Sequence, residues 1–160
     1  SFPIYIYDQT DAQIYGFDVL ASYQTTENIK IVAKYAYLKG NDVRNDVPLI
    51  YMPPNNFYLS LNYAAKDFGK WGHNSVAVNG KYVAKQGNLL PSQDFMPAPD
   101  AYFLLGAELN TSYHLGKNTL DFGLRIENML NTVYRDYLNR LRYFADDIGI
   151  NVSLRATYNF

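Results

Sequence analysis

The sequence has no cysteine, two histidines and one tryptophan among its 160 residues. The absence of cysteine excludes disulfide bridges and thiolate sites. No apolar run approaches the roughly 20 residues that a membrane-spanning helix needs, so the sequence excludes such a helix. The chain also lacks an excess of either charge, because 14 basic and 15 acidic residues leave a net charge of −1. The charge balance therefore gives no reason to expect nucleic acid as a partner.

Catalytic motifs are missing as well. His73 and His114 fall in predicted turns, and no serine lies in a recognisable nucleophile motif. The adjacent Asp146 and Asp147 lack the ligand spacing of a calcium loop. We therefore predict that the chain is not an enzyme, and we predict no cofactor and no metal site.

Tyrosine, by contrast, is abundant, with sixteen residues beside nine phenylalanines. Tyrosine suits boundaries where one end of the ring is apolar and the other end is wet. Over residues 149–160 every second residue from Ile150 to Phe160 is apolar, and every residue between them is polar. Such alternation predicts a strand with one apolar and one polar face. Both a soluble sandwich and a membrane barrel use strands of this kind.

The same alternation predicts seven strands. Their bounds are Pro3–Gln24, Ile29–Leu38, Phe57–Tyr63, Asn74–Lys85, Ala101–Tyr113, Thr119–Glu127 and Gly149–Phe160. Short or medium turns alternate with three long links, at residues 39–56, 86–100 and 128–148. Such a pattern is typical of a meander whose two ends differ. Within the first strand, Gly16 is expected to mark a bulge where the register changes.

The charged residues of these strands all fall on the polar face. They are Asp18, Lys30, Lys34, Lys81, Lys85, Glu108, Asp121, Arg125, Glu127 and Arg155. We expect the four lysines to pair with the four acids across that face. A charge at a lipid-facing midplane position costs roughly 2–4 kcal/mol, so a membrane barrel explains the one-sided distribution.

Four of the strands end alike, with an apolar residue four positions before a tyrosine. These tyrosines are Tyr23, Tyr63, Tyr113 and Tyr158. Alternate strands of a meander run in the same direction, so we expect the four rings at one level, at the end with the short turns. Together with Phe160 they are predicted to form a periplasmic aromatic girdle.

We interpret the chain as all-β, an antiparallel transmembrane β-barrel meander of about seven strands. One alternative is a soluble β-sandwich that binds carbohydrate or another ligand, but a sandwich predicts neither the tyrosines nor the alternating links. Another is a membrane β-barrel enzyme, which needs a Ser/His or Asp/His set that the sequence does not offer. Seven strands leave the first strand with an unpaired edge, so residues 1–160 are expected to be the C-terminal part of a larger barrel.

Four segments, in order along the chain, resemble motifs of the TonB-dependent outer-membrane receptors. They are Tyr15–Asp18, Pro48–Asn55, Glu127–Leu138 and the closing Asn151–Phe160. The resemblance implies a 22-stranded barrel, closed by an N-terminal plug, in the outer membrane of a Gram-negative bacterium. It also implies uptake of a scarce nutrient, most often a ferric siderophore, with energy passed through TonB.

The resemblance also implies a set of partners. They are outer-membrane lipid, the remainder of the barrel with its plug, and TonB, which would act through an N-terminal region that we expect upstream of this sequence. The barrel-assembly machinery is a further partner, because the final strand and Phe160 resemble the signal that it reads. No nucleic acid is expected.

For ligand binding the best candidate is the third long link, which concentrates cations and aromatic rings. The candidate residues are Tyr134, Arg135, Tyr137, Arg140, Arg142 and Tyr143. Guanidinium suits carboxylate or catecholate anions, and tyrosine suits large flat ligands. The alternative is a loop held together by ion pairs of Arg135 with Asp136 and of Arg142 with Asp146. We favour this structural interpretation.

Overall fold

A computed structural model describes residue 4 and residues 9–160, and all structural statements below refer to those residues. The chain forms a single antiparallel sheet. Its strands are β1 (Ala12–Gln24), β2 (Ile29–Asp42), β3 (Val47–Pro48), β4 (Asn56–Ala64), β5 (Trp71–Val83), β6 (Tyr102–Leu115), β7 (Asn118–Glu127) and β8 (Asn151–Asn159). Two short 3-10 turns, Pro91–Gln93 and Arg140–Tyr143, lie in the links. No helix of the described part of the chain is long and apolar enough to cross a membrane.

The long strands follow one another across the sheet in the order β1-β2-β4-β5-β6-β7-β8, and the short β3 pairs with β2 alone. The sheet is open, with β1 and β8 at the two edges of its described part. The predicted all-β meander of seven strands is therefore confirmed. β3 was not predicted, because two residues show no periodicity. Most of residues 3–8, which the first predicted strand included, lie outside the described residues.

The register between strands joins the apolar side chains into one continuous face. Directly opposed residues of an antiparallel pair point to the same side of the sheet. One row across five strands comprises Val19, Tyr35, Phe57, Tyr82 and Phe103. A second row, nearer the short turns, comprises Leu61, Val78, Ala107, Ile126 and Val152. The alternation predicted within each strand therefore extends across the whole sheet.

On the central strands this apolar face is more exposed than the polar face. Leu59 and Leu61 are 45% and 51% exposed, whereas Ser60 between them is 4% exposed. A cavity of about 420 Å³ opens on the polar face, partly covered by residues of the third link. The described sheet is thus apolar on its uncovered side and polar on its enclosed side, which is the reverse of a soluble core.

β2 runs four residues beyond its predicted end, and this extension changes one expectation. It places Lys39 on the apolar face, opposite Tyr15 of β1. The expectation that the apolar face carries no charge is therefore confirmed within the predicted strand bounds. It is wrong at the end of β2, where Lys39 lies on that face. Lys39 lies near the end of β2, three residues before its last residue, Asp42.

Gly16 does not mark a bulge. The register between β1 and β2 runs without a break from Ala12 to Gln24, and the register shift of the sheet lies in β5 instead. A Cβ atom added to Gly16 would collide with the carbonyl oxygen of Tyr37. Glycine is therefore required here by the close approach of the β2 backbone.

Replacing Gly16 with alanine should lower the free energy of unfolding by about 1–3 kcal/mol, because the strands must separate to admit the methyl group. Equilibrium urea unfolding of the protein in detergent micelles measures the change. Gly87→Ala is the matched control, since nothing lies within 4 Å of its added Cβ atom. Equal stability of the two variants would contradict the close-approach explanation.

Candidate functional site

The three long links meet at the end of the sheet opposite to the short turns. The Tyr51 hydroxyl of the first link lies 3.4 Å from the Tyr143 hydroxyl of the third link, and the backbone N–H of Tyr51 donates to the Tyr137 hydroxyl at 3.4 Å. Tyr143 donates in turn to Asp94 Oδ1 of the second link, at 2.6 Å. We call this cluster, with Arg142, the loop cap.

Arg142 occupies the centre of the loop cap. Its side chain is 2% exposed and forms an ion pair with Asp94, whose side chain is 4% exposed. The guanidinium carbon lies 4.7 Å from the centroid of the Tyr137 ring and 4.6 Å from that of Tyr143. A buried guanidinium needs such a partner charge and favours such aromatic faces. The pair therefore joins the second link to the third.

Local hydrogen bonds shape the third link around this pair. Asn139 begins the 3-10 turn of residues 140–143, because its side-chain oxygen accepts from the N–H of Leu141 at 3.0 Å. Asp147 accepts from the N–H of Asp136 at 2.6 Å and from the Asn139 side chain at 2.8 Å. Short polar side chains thereby satisfy the backbone where no strand can form.

Both ion pairs proposed within the third link are wrong in their partners. Arg135 pairs with Asp146 at 2.6 Å rather than with the adjacent Asp136, and it also donates to the Arg142 carbonyl at 2.9 Å. Arg142 pairs with Asp94 of the second link rather than with Asp146. The second link shows no periodic pattern, so sequence spacing could not bring Asp94 to Arg142.

Burial favours the neutral form of the loop tyrosines. Desolvation raises the pKa of Tyr143 far above its usual value, and the hydrogen bond to Asp94 raises it further. Desolvation also raises the pKa of Tyr137, as it does that of Tyr134, where the Asp147 charge adds to the effect. This contribution to stability is complete below the unfolded-state pKa of about 10 and is lost as pH rises through the higher folded-state values.

The third link also folds over the polar face of the sheet. The rings of Tyr134 and Tyr102 lie 4.5 Å apart, and the Tyr102 hydroxyl donates to Asp136 at 2.7 Å. Tyr134 lines the cavity of about 420 Å³ together with strand residues that include Tyr58 and Lys81. The cavity therefore lies between the third link and the polar face of the sheet.

The predicted pairing of lysines with acids on the polar face is wrong. Arg125 forms ion pairs with two of the acids instead, with Glu108 at 3.4 Å and with Glu127 at 4.0 Å. Lys34 lies over the Tyr58 ring at 5.4 Å, and Lys85 pairs with Asp100 of the second link. For Lys30 and Lys34 of β2, distance excludes the acids of β6 and β7, because β4 and β5 lie between them.

Of the six predicted ligand residues, Arg135 is held by its ion pair with Asp146, and the other five divide by exposure. Tyr137, Arg142 and Tyr143 are buried together in the loop cap, whereas Tyr134 lines the cavity. Arg140 is exposed, with its guanidinium carbon 5.9 Å from the Tyr51 ring centroid. Sequence reasoning missed the cavity residues Tyr58 and Lys81, and it missed Asp94 and Tyr51 of the loop cap. Among the described residues, no group of three or more His, Cys, Asp or Glu could hold a metal ion.

The predicted girdle tyrosines occupy related rows near the short turns. Tyr113 and Tyr158 share a row, since both lie opposite Leu120. The residue of β6 in the same row as Tyr63 is Leu109, four residues before Tyr113. The residue of β4 in the same row as Tyr23 is Leu61, two residues before Tyr63. From β1 to β8 the four tyrosines therefore shift six residues towards the short turns over six steps between strands.

A family model described as "TonB dependent receptor-like, beta-barrel" matches residues 1–129. The chain belongs to this family. The resemblance noted in the sequence is thereby confirmed, although the match ends before β8.

Among solved structures, the copper transporter OprC matches with a TM-score of 0.76 at 23% sequence identity. The match covers 94% of this chain and 23% of that chain, so this chain spans about a quarter of the length of that neighbour. At this identity the likeness concerns the fold. No curated protein matches.

Arg142→Ala should loosen the loop cap by about 3–5 kcal/mol, because it leaves Asp94 buried without its partner. Hydrogen exchange of the second and third links measures the loss as faster exchange. Arg44→Ala is the control, since it breaks an exposed ion pair. The side chains of Arg44 and Asp11 are 61% and 81% exposed, so this variant should change stability by only about 0–1 kcal/mol. Unchanged exchange in the Arg142 variant would show that the ion pair of Arg142 with Asp94 does not stabilise the loop cap.

Proposed function

We propose that this chain is the C-terminal part of the barrel of a TonB-dependent transporter in the outer membrane of a Gram-negative bacterium. In this proposal the apolar face contacts lipid, the polar face lines the lumen and the long links are extracellular. The inverted exposure of the sheet carries the proposal, because Leu61 is 51% exposed while Ser60 is 4% exposed. Lipid is the solvent that favours an uncovered apolar face of this extent.

The girdle tyrosines support this orientation. If Tyr23, Tyr63, Tyr113 and Tyr158 mark one membrane boundary, their shift of one residue per strand fixes the tilt of the strands. With a rise of about 3.4 Å per residue and a strand spacing of about 4.8 Å, the tilt is about 35°. Strands of outer-membrane barrels tilt by about 35–45°, so the rows agree with a barrel wall.

The remaining partners follow from this placement. A plug and a TonB-contacting segment, N-terminal to residues 1–160, would couple the barrel to energy supplied through TonB. The barrel-assembly machinery would read β8 and Phe160, which is 99% exposed. The edges of the sheet at β1 and β8 would pair with the remaining strands of the barrel.

We propose a ferric siderophore as the cargo. The support is chemical, because Tyr58, Lys81 and Tyr134 line one cavity between the third link and the polar face and suit a ligand that is flat, anionic or both. Tyr134 and the exposed Arg140 would contact the cargo, while Arg135, Tyr137, Arg142 and Tyr143 would hold the loop. Copper is the competing cargo, since the solved neighbour is named a copper transporter.

Lysine placed on the apolar face should prevent stable insertion, whereas lysine one residue earlier should be tolerated. Val78 is 45% exposed on the apolar face, and Ala77 lies on the polar face opposite Glu108. Val78→Lys should destabilise the barrel by roughly 2–4 kcal/mol if this face meets lipid. Unfolding in urea from lipid vesicles gives the two stabilities.

Ala77→Lys introduces the same charge in the same strand and should keep near-normal stability, because Glu108 offers an opposite charge. Equal tolerance of the two lysines, or a folded monomer that stays soluble without detergent, would overturn the lipid-facing assignment. A soluble ligand-binding sandwich would then be the better interpretation.

Cells that carry the protein should accumulate iron from a ferric siderophore in a saturable manner, and loss of either this protein or TonB should abolish the accumulation. Uptake of radioactive iron measures this directly, with radioactive copper as the parallel arm. TonB-dependent uptake of copper alone would contradict the siderophore as cargo but would agree with the proposed transporter. Uptake of neither metal above that of a deletion strain would contradict the cargo proposal.

A further inference from the structure

The two histidines of the chain lie side by side near the short turns, although they are far apart in the sequence. The centroids of the His73 and His114 rings are 6.3 Å apart. His114 belongs to β6 and lies on the polar face, because it alternates with Tyr113 of the apolar face. His73 belongs to β5, at the register shift of that strand. The pair therefore lies on the polar face, at the end of the sheet opposite to the loop cap.

The register shift brings His73 to this face. At that point β5 has two residues, His73 and Asn74, where β6 has only Thr111. An extra residue of this kind re-aims the side chains of its strand. His73 has a φ of 51°, which is uncommon and costly for a residue with a side chain. Asp67 supports this conformation, since its Oδ1 accepts from the backbone N–H of His73 at 3.1 Å.

Gly72 allows the His114 ring to approach β5. A Cβ atom added to Gly72, which is buried, would lie 2.7 Å from His114 Nε2. The ring therefore reaches across from β6 and places its Nε2 atom over the residue that immediately precedes His73. A larger residue at this position would move the imidazole away.

Two carboxylates lie around the histidine pair. Asp67 Oδ1 is 3.5 Å from the position of the Cβ atom added to Gly72, and Asp121 is close enough to His73 for their charges to interact. Neither acid forms an ion pair with a lysine or arginine in the part of the chain that the structure describes. Their negative charge therefore favours a cation between the two rings.

We propose that His73 and His114 together bind one divalent transition-metal ion, with Cu²⁺ preferred to Ni²⁺ and Zn²⁺. Neutral imidazole is a ligand for all three ions, and Cu²⁺ generally binds nitrogen ligands most tightly. A metal ion lies about 2.0–2.1 Å from a histidine nitrogen, so two rings that share one ion have centroids about 4.5–6.5 Å apart. The observed 6.3 Å lies at the wide end of this range. It suits opposite positions around a tetragonal Cu²⁺ better than neighbouring positions around a tetrahedral Zn²⁺.

Water would complete the coordination of the ion. Among the described residues, no group of three His, Cys, Asp or Glu could hold a metal, so the protein supplies two imidazoles and the remaining positions stay open. An ion held in this way exchanges readily. The inference departs from the prediction of no metal site, because only the register shift in β5 brings the two rings together.

The location of the site in the cell rests on the proposed function. In that proposal the short turns face the periplasm and the polar face lines the lumen. The ion would then be held at the periplasmic mouth of the barrel. The site is separate from the cavity proposed for the cargo, since neither histidine lines that cavity.

Electron paramagnetic resonance tests the proposal, with Cu²⁺ titrated into the folded protein in detergent. The wild type should bind one more Cu²⁺ than the double variant of His73→Asn and His114→Gln, and this additional signal should show splitting by two nitrogen nuclei. Each single variant should weaken binding at the site by at least about tenfold, which is the lower limit for loss of even an outer-shell partner. Asparagine is chosen at position 73 because it tolerates a positive φ.

Gly72→Ala moves the His114 ring while both imidazoles remain, and it should also weaken Cu²⁺ binding by about tenfold or more. Gly80→Ala is the matched control in the same strand, because its added Cβ atom would lie 2.8 Å from the Phe103 ring on the apolar face. This control should bind Cu²⁺ as the wild type does. Unchanged binding in either histidine variant, splitting by a single nitrogen nucleus, or equal losses in the two glycine variants would overturn the proposal.

The same samples separate this inference from the proposed function. Outer-membrane barrels that are folded migrate differently on gels before and after heating, so folding is read without reference to the metal. A protein that is folded in the membrane but binds no more Cu²⁺ than the double variant defeats the metal site alone. A protein that binds the additional Cu²⁺ but does not insert into membranes defeats the proposed function and the periplasmic location, and it supports the metal site.

Discussion

The structure depends on one constraint of register. Across seven long strands, an apolar residue must lie opposite an apolar residue of the next strand, as Leu61 lies opposite Val78. A slip of one residue in any pair would move a whole strand's apolar set to the polar face. Because apolar residues oppose apolar residues in all six strand pairs, with one register shift in β5 between Gly72 and Ser75, the sheet has a single apolar surface and a single polar surface. The continuous exposed apolar surface follows from this register.

The two ends of the sheet differ in how their backbone groups are hydrogen-bonded. At the short turns, few residues suffice to reverse the chain, so backbone pairing continues almost to the turn. At the other end, long links must satisfy many backbone groups outside the sheet. They do so with short polar side chains and with the buried pair of Arg142 and Asp94. The links thus acquire a small interior of their own, built from tyrosine rings and one ion pair instead of aliphatic side chains.

The sequence predicted the sheet well and the links poorly, for a physical reason. Strand faces repeat every two residues, so alternation in β8 or β4 is visible without any structure. Gly16 was assigned to a bulge because a glycine in a strand has several causes, and only the approach of Tyr37 distinguishes them. The partner of Arg142 could not be predicted, since Asp94 lies 48 residues away in a link without periodicity. Ion pairs depend on three-dimensional distance, and spacing along the chain carries little of it.

The loop cap has a consequence for the order of folding. Each long strand pairs with the next one along the chain, so the sheet can grow hairpin by hairpin from contacts that are close in sequence. The loop cap joins residues much farther apart, with Tyr51 and Tyr143 separated by 92 positions and Asp94 and Arg142 by 48. Such contacts form only after the intervening chain has been ordered, because closing a long loop costs entropy before any contact repays it. We therefore expect burial of Arg142 to be a late event in folding, and a probe of its environment would report when the three long links have all reached their places.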